Sequence, residues 1–182
     1  MHKHYAKPAW IKNSMGVVRS AGFELEFAGL DLQTAANAVA KAIKGEVIKD
    51  TQAECKVKPP QFGDFKIELD WSFAKNMARK RLEEQGASED AVLELMADLA
   101  RQIVPLEVVC PPVPVDQLSM LDDMVSALQQ AGALGTSDSL LYAFGVHINT
   151  ELPALDSKTL VPYLQAYCVS QYWLMKAHDV DT

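Results

Sequence analysis

Single acidic residues and one histidine stand on otherwise apolar, strand-like segments along this chain. They are Glu24, Glu26, Glu68, Asp70, Glu107 and His147. Alternate side chains of a β-strand point to opposite faces, so Glu24 and Glu26 share one face of their strand, opposite Leu25. If these strands are neighbours, one sheet face carries clustered anionic groups over an apolar layer. Desolvated carboxylates that lie close together need a counter-charge, and a divalent metal ion is the simplest source of one.

The same carboxylates also admit plain structural interpretations. Glu24 and Glu26 could lie on a solvated acidic strand face, and so could Glu68 in its own strand. Asp70 stands at a strand end, where it could cap the following helix. Glu107 is the sharper signal, because residues 103–112 are otherwise apolar and are expected to be buried on both faces. A charge in such a segment needs a partner, so we expect either a buried salt bridge or a metal ion.

His147 and Asn149 share one face of their own strand, opposite Val146 and Ile148. Gly145, just before this strand, lets another group approach the backbone. A histidine in a strand can also be an ordinary core or surface residue. Oxygen ligands with one imidazole suit Mg²⁺ or Mn²⁺ better than Zn²⁺. Since Mg²⁺ takes one or two carboxylates together with waters and phosphates, several carboxylates predict more than one ion, bridged by a nucleotide. The sequence has neither a P-loop nor a GxSxG motif.

Composition narrows the function classes. The chain has 182 residues, of which 49% are hydrophobic, and a net charge of -7, which fits one domain with a substantial core. The sequence has no block rich in lysine and arginine, so we expect no nucleic-acid partner. It has no long apolar run, so we expect neither a membrane span nor a signal peptide. Three scattered cysteines form no disulfide framework, so we expect a reducing cytoplasm. We interpret Cys110 as a small core residue rather than a nucleophile.

Hydrophobic periodicity predicts an α+β fold with a mainly antiparallel sheet; a doubly wound parallel sheet is the alternative, because several connections are helical. Residues 1–20 are expected to form a tail or strap ahead of a domain over 21–182. Asp31 is the predicted N-cap of the first helix, which should end at Gly45. The predicted helices cover 32–44, 73–102 with a break near Gly86, 115–131 and 157–177, and the predicted strands cover 22–28, 46–49, 54–57, 64–70, 104–109 and 141–149.

Four short segments, in this order, resemble the amidoligase family. They are Gly22–Phe27, Asp70–Ser72, Leu106–Pro112 and Gly145–Asn149, and they span residues 22–149. This family belongs to the carboxylate–amine ligase superfamily, with glutamine synthetase and glutamate–cysteine ligase. The resemblance implies a curved, mainly antiparallel sheet with helices on one face, like the catalytic domain of glutamine synthetase. ATP and divalent ions would bind the concave face.

The resemblance also implies a reaction and roles for residues. ATP would phosphorylate a small-molecule or peptide carboxylate, and an amine would displace the phosphate to give an amide or peptide bond. Glu24, Glu26, Glu107 and His147 would hold Mg²⁺ or Mn²⁺, and Glu107 and His147 would be the catalytic residues. Asp70 and Asn149 would join Glu24 and Glu26 in binding the nucleotide.

The chain departs from the family pattern in two respects. Cys110 stands where serine is frequent, and members usually run longer and supply arginines from a C-terminal half. This chain has Arg19, Arg79, Arg81 and Arg101. We therefore expect an incomplete domain, either a fragment or a shortened relative. A non-catalytic metal- or nucleotide-binding relative, an interaction module and a structural domain with a solvated acidic face remain alternatives, and self-association is left open.

Overall fold

A computed structural model describes residues 6–70, 105–135 and 145–178. The predicted helical region 73–102 lies outside these residues, as does the start of the predicted strand 141–149. The described elements, in chain order, are β1 (Ser20–Phe27), α1 (Leu32–Ile43), β2 (Glu46–Lys49), β3 (Glu54–Lys58), β4 (Phe65–Leu69), β5 (Leu106–Val109), β6 (Val113–Pro114), α2 (Ser119–Ala131), β7 (Val146–Thr150) and α3 (Ser157–Ala177).

The seven described strands form one open sheet in the order β2-β3-β4-β5-β1-β6, and β7 pairs with β1. All described strand pairs are antiparallel. The predicted α+β fold with a mainly antiparallel sheet is therefore confirmed, and the parallel alternative is wrong. β1 is the central strand for the candidate site, because β5 and β6 lie along one side of it and β7 lies along the other.

The core lies on one face of this sheet, under α1 and α2. Inward residues alternate along each strand, as Phe65 and Ile67 do in β4 and Leu106 and Val108 do in β5, and all four are buried. They pack in one cluster with apolar residues of both helices. The residues between them, which include the acidic ones, therefore point to the opposite face.

Local sequence explains where α1 begins and ends. The Asp31 carboxylate accepts a hydrogen bond from the Thr34 backbone N–H at 2.8 Å, which confirms the predicted N-cap. Lys44 takes a left-handed conformation, with a φ of 54°, just before Gly45. The predicted end of the helix is thus correct to within one residue.

α2 begins at Ser119, four residues after the predicted start at 115. The chain just before residue 115 pairs with the start of β1, where Val113 lies opposite Ala21, and the Val115 N–H extends this pairing by donating to the Arg19 carbonyl at 2.9 Å. Prolines disfavour the helical conformation in the residue before them, and Pro111, Pro112 and Pro114 keep this preceding stretch extended. Among the described residues, no helix combines the length and apolar character that crossing a membrane requires.

Candidate functional site

The registers of β1 bring the predicted metal-binding residues onto one sheet face. Glu26 lies directly opposite Glu107 of β5, and Glu24 lies directly opposite His147 of β7. Side chains of directly opposed residues in an antiparallel pair point to the same face and approach closely. Four residues that lie far apart in the sequence are therefore neighbours on the face opposite the core.

The acidic residues continue across the sheet as a row. Glu107 lies opposite Glu68 of β4, and Glu68 lies opposite Glu54 of β3. We call Glu54, Glu68, Glu107 and Glu26 the carboxylate row. Like charges directly opposed on neighbouring strands destabilise a sheet. The row therefore needs positive charge from side chains or from a bound cation.

Lysines supply that charge at one end of the row. The Lys66 ammonium lies 2.7 Å from a carboxylate oxygen of Glu68 and 3.6 Å from one of Glu54. Lys56 lies 3.9 Å from Glu54 and also pairs with Asp50. These ion pairs raise the pKa of both lysines, for Lys66 chiefly through Glu68 and for Lys56 chiefly through Asp50. The β3–β4 end of the row is thus compensated.

The other end of the row keeps its negative charge. Within the described parts of the chain, no lysine or arginine lies at ion-pair distance from Glu26 or Glu107. Burial raises the pKa of Glu107, and the charges of Asp70, Glu24 and the two row neighbours raise it further. The salt bridge that could have explained Glu107 structurally is not found among these residues.

Glu24 organises the β7 side of the site. Its carboxylate lies 2.8 Å from His147 Nδ1, and its second oxygen accepts a hydrogen bond from the Asn149 amide at 3.4 Å. The Glu24 hydrogen bond, together with the charges of Glu26 and Glu107, raises the pKa of His147 above its usual value, against the effect of burial. The imidazole side chain remains 60% exposed, so a ligand can reach it.

Glu26 is held by the backbone at the start of β7. The Gly145 N–H donates to the Glu26 carboxylate at 2.9 Å, and the Glu26 N–H donates to the Gly145 carbonyl at 3.1 Å. A Cβ at position 145 would lie 3.4 Å from this carboxylate and 3.7 Å from His147 Nε2. The group that approaches the backbone at this glycine is therefore a site carboxylate.

The donor chemistry fits an oxygen-preferring divalent ion, because three carboxylates and one imidazole share the uncompensated end. Their present arrangement is not a preformed coordination sphere. Among the described residues, no group of three or more histidine, cysteine, aspartate or glutamate side chains is arranged to hold a metal. The oxygens of Glu24 face His147 and Asn149, and Glu26 faces Gly145. To coordinate an ion, these carboxylate oxygens would have to give up some of their hydrogen bonds.

The remaining predicted site residues take different places. Asp70 follows β4 directly, its N–H donates to the Pro105 carbonyl at 2.9 Å, and its charge acts on Glu107. Any capping by Asp70 of a helix over 73–102 lies outside the described residues. Cys110 is buried in the core, and burial raises its pKa to about 12, which disfavours the thiolate that a nucleophile needs.

Sequence reasoning missed the part of the row that lies on β3, where Glu54 and Lys56 stand. Glu54 and Lys56 alternate with buried Cys55 and Val57, so the period of two was visible in the sequence. Their position beside the site depends on β3 pairing with β4, and the hydrophobic pattern does not specify strand partners.

Comparison with known proteins is consistent with this arrangement. The profile of the family Amidoligase_2, described as "Putative amidoligase enzyme", matches residues 18–182. No curated protein and no solved structure matches the chain. The likeness to the catalytic domain of glutamine synthetase therefore stays a prediction. Because the match covers most of the chain, this protein belongs to the amidoligase family, whose name indicates a ligase-type function.

Proposed function

We propose that this protein is an ATP- and Mg²⁺-dependent ligase that joins a carboxylate to an amine. The carboxylate would be phosphorylated by ATP, releasing ADP. The amine would then form the new C–N bond, with phosphate as the leaving group. The observation that carries the proposal is the meeting of Glu24, Glu26, Glu107 and His147 on one sheet face of an amidoligase-family chain.

The charge pattern supports a cation at this site rather than a direct contact with a phosphate. The uncompensated end of the carboxylate row would repel an anionic nucleotide on its own. Bound Mg²⁺ would neutralise the phosphates and the charge that develops during phosphoryl transfer. Glu24, Glu26, Glu107 and His147 would hold the ions; Mn²⁺ has similar ligand preferences.

The protein's own residues would prepare the site. Glu24 would fix the orientation of His147 and Asn149 through the hydrogen bonds described above. The Gly145 N–H would fix Glu26. Asp70 and Asn149 would contact the nucleotide from the edges of the site. Because β1 and β5 are held by core packing, Glu24, Glu26 and Glu107 would be positioned before the substrates bind.

The proposed substrates are a small-molecule or peptide carboxylate and an amine. The proposed location is the cytoplasm, which supplies ATP and keeps the free thiols of Cys55, Cys110 and Cys168 reduced.

The test measures ADP release by the full chain with ATP, Mg²⁺ and a panel of amino acids and short peptides. We expect ADP release that depends on both the divalent ion and the amine, and that is lost in Glu107→Gln. Glu46→Gln, which changes an exposed glutamate on β2, is the matched control and should retain activity. Folded wild-type protein that releases no amine-dependent ADP would contradict the proposal.

One observation favours a second candidate, a relative that binds nucleotide without turnover. The described residues include one arginine, Arg19, and it is 3% exposed, with Nη1 and Nε donating to the carbonyl oxygens of Trp10 and Glu151. Arginines are strong phosphate-binding groups, and Arg19 is not placed to act as one. Titration calorimetry distinguishes the candidates, because the second predicts heat from binding of Mg-ATP but no ADP.

A further inference from the structure

β7 carries two residues of the candidate site but has little packing to hold it. All five of its residues are exposed, and among the described strands it pairs with β1. Shifting a strand by one residue turns its side chains to the opposite face. Such a slip would move His147 away from Glu24, so the register of β7 has to be fixed by something other than burial.

Glu151, the first residue after β7, makes a compact set of contacts with the chain that leads into β1. One carboxylate oxygen accepts from the Ser20 N–H at 2.9 Å, and the other accepts from the Asn13 amide at 2.8 Å. The Glu151 N–H also donates to the Ser20 carbonyl at 2.9 Å. The end of β7 is therefore joined to the start of β1 and to the segment before it.

A carboxylate is chemically required at this position. Asn13 Oδ1 already accepts from the N–H groups of Met15 and Val17, each at 3.0 Å. A 180° flip of the Asn13 side-chain amide would break both of these hydrogen bonds, so the amide presents its N–H₂ group to Glu151. The Ser20 N–H is a second donor. Glutamine has one side-chain oxygen and would place an N–H₂ group against one of these two donors.

A buried arginine strengthens the same junction. Arg19 is 3% exposed; its Nε donates to the Glu151 carbonyl and its Nη1 donates to the Trp10 carbonyl, each at 2.7 Å. Another bond runs from the Ser14 N–H to the Pro153 carbonyl at 2.8 Å. The segment before β1 thus holds the chain at Glu151 and just beyond it.

We propose that Glu151 is a positioning residue that fixes the register of β7 and so keeps His147 and Asn149 beside Glu24. It acts at the end of β7, while the paired bonds between Glu26 and Gly145 hold its beginning. The catalytic consequence rests on the proposed ligase function; the effect on β7 does not.

The structural test is hydrogen–deuterium exchange on the full chain. Glu151→Ala should accelerate exchange of the β7 amides while leaving the β3 and β4 amides unchanged, and Glu151→Gln should do so to a smaller extent. Glu46→Gln, an exposed glutamate at the opposite sheet edge, should change neither. Unchanged β7 exchange in Glu151→Ala, or equal acceleration in all strands, would overturn the proposal.

The kinetic test follows from populations. If molecules with a displaced β7 are inactive, kcat falls with the fraction of competent molecules while KM for ATP is unchanged. We expect Glu151→Ala to lower kcat roughly ten-fold, within the range that small misplacements cost. An equal kcat in this variant would contradict the positioning role, even if β7 exchange rises. Wild-type protein without turnover would remove the proposed function alone, and the exchange experiment would still decide the role of Glu151.

Discussion

Replacing Glu107 with glutamine should stabilise the metal-free protein and at the same time abolish its response to Mg²⁺. The two effects have opposite signs and one cause. Glu107 lies between Glu26 and Glu68 in the carboxylate row, at the end that no described lysine compensates. We therefore expect the carboxylate of Glu107 to destabilise the metal-free protein and to bind the ion when Mg²⁺ is present.

The magnitude follows from the two opposed pairs. A like-charge pair directly opposed in a sheet costs about 0.2–1 kcal/mol. Lys66 offsets much of the Glu68 charge at 2.7 Å, so relief comes mainly from the Glu26 side. We expect the free energy of unfolding to rise by about 0.5 kcal/mol, which raises Tm by roughly 1–2 °C in a chain of this size. With Mg²⁺ at ten times its Kd, wild-type protein should gain about 1.4 kcal/mol, and the variant should gain nothing.

Thermal unfolding with and without Mg²⁺ measures both effects in one experiment. Glu54→Gln is the matched control, since Glu54 lies in the same row but is compensated by Lys56 and Lys66. This control should lose a little stability without metal and keep the Mg²⁺ response. The reasoning fails if Glu107→Gln destabilises the metal-free protein, or if its Tm still rises with Mg²⁺ as in wild type.

Two further predictions concern the scaffold, and thermal or denaturant unfolding checks both. Asp31→Ala removes the N-cap of α1 and should cost about 1 kcal/mol, whereas Asp123→Ala on the exposed face of α2 should have little effect; equal losses would contradict the capping role. Gly29→Ala should cost more than about 2 kcal/mol, because a Cβ at this φ of +87° would lie 2.7 Å from the Gly132 carbonyl oxygen. Gly16→Ala, at a φ of +77° with nothing within 4 Å, should cost only about 1 kcal/mol, and the reasoning fails if the two losses are alike.

Local features of this fold were predictable because they depend on nearby residues. Residues close together in the sequence determine three such features: the Asp31 cap, the 3.6-residue period of α1 and the period-two alternation of β4. The start of α2 was predicted four residues too early, because the pairing of β6 with the chain at β1 continues to Val115, whose N–H donates to the Arg19 carbonyl. That pairing joins residues more than 90 positions apart, which periodicity does not reveal.

The same distinction between nearby and distant residues applies to the candidate site. The sequence marked Glu24, Glu26, Glu107 and His147 as unusual, since each is a polar residue on an apolar strand. It also marked Glu107 as a sharper signal than Glu68, because residues 103–112 are otherwise apolar, and the structure pairs Glu68 with Lys66. The Glu151 junction was missed for another reason. Its partners lie at the start of β1 and in the segment before it, and nothing in their spacing points to a residue more than 130 positions later.

The register of the sheet also explains why the proposed metal would be needed at one end of the row only. Lys56 and Lys66 form ion pairs with Glu54 and Glu68, so the carboxylates at the β3–β4 end already have positive partners. At β5, β1 and β7, three carboxylates meet one imidazole, which leaves a formal charge of about −2 even when His147 is protonated. A triphosphate would be repelled by that charge, whereas one or two divalent ions would first cancel it and then attract the phosphates. The asymmetry of charge along a single row of the sheet thus favours the proposed metal–nucleotide site over an acidic face that is merely solvated.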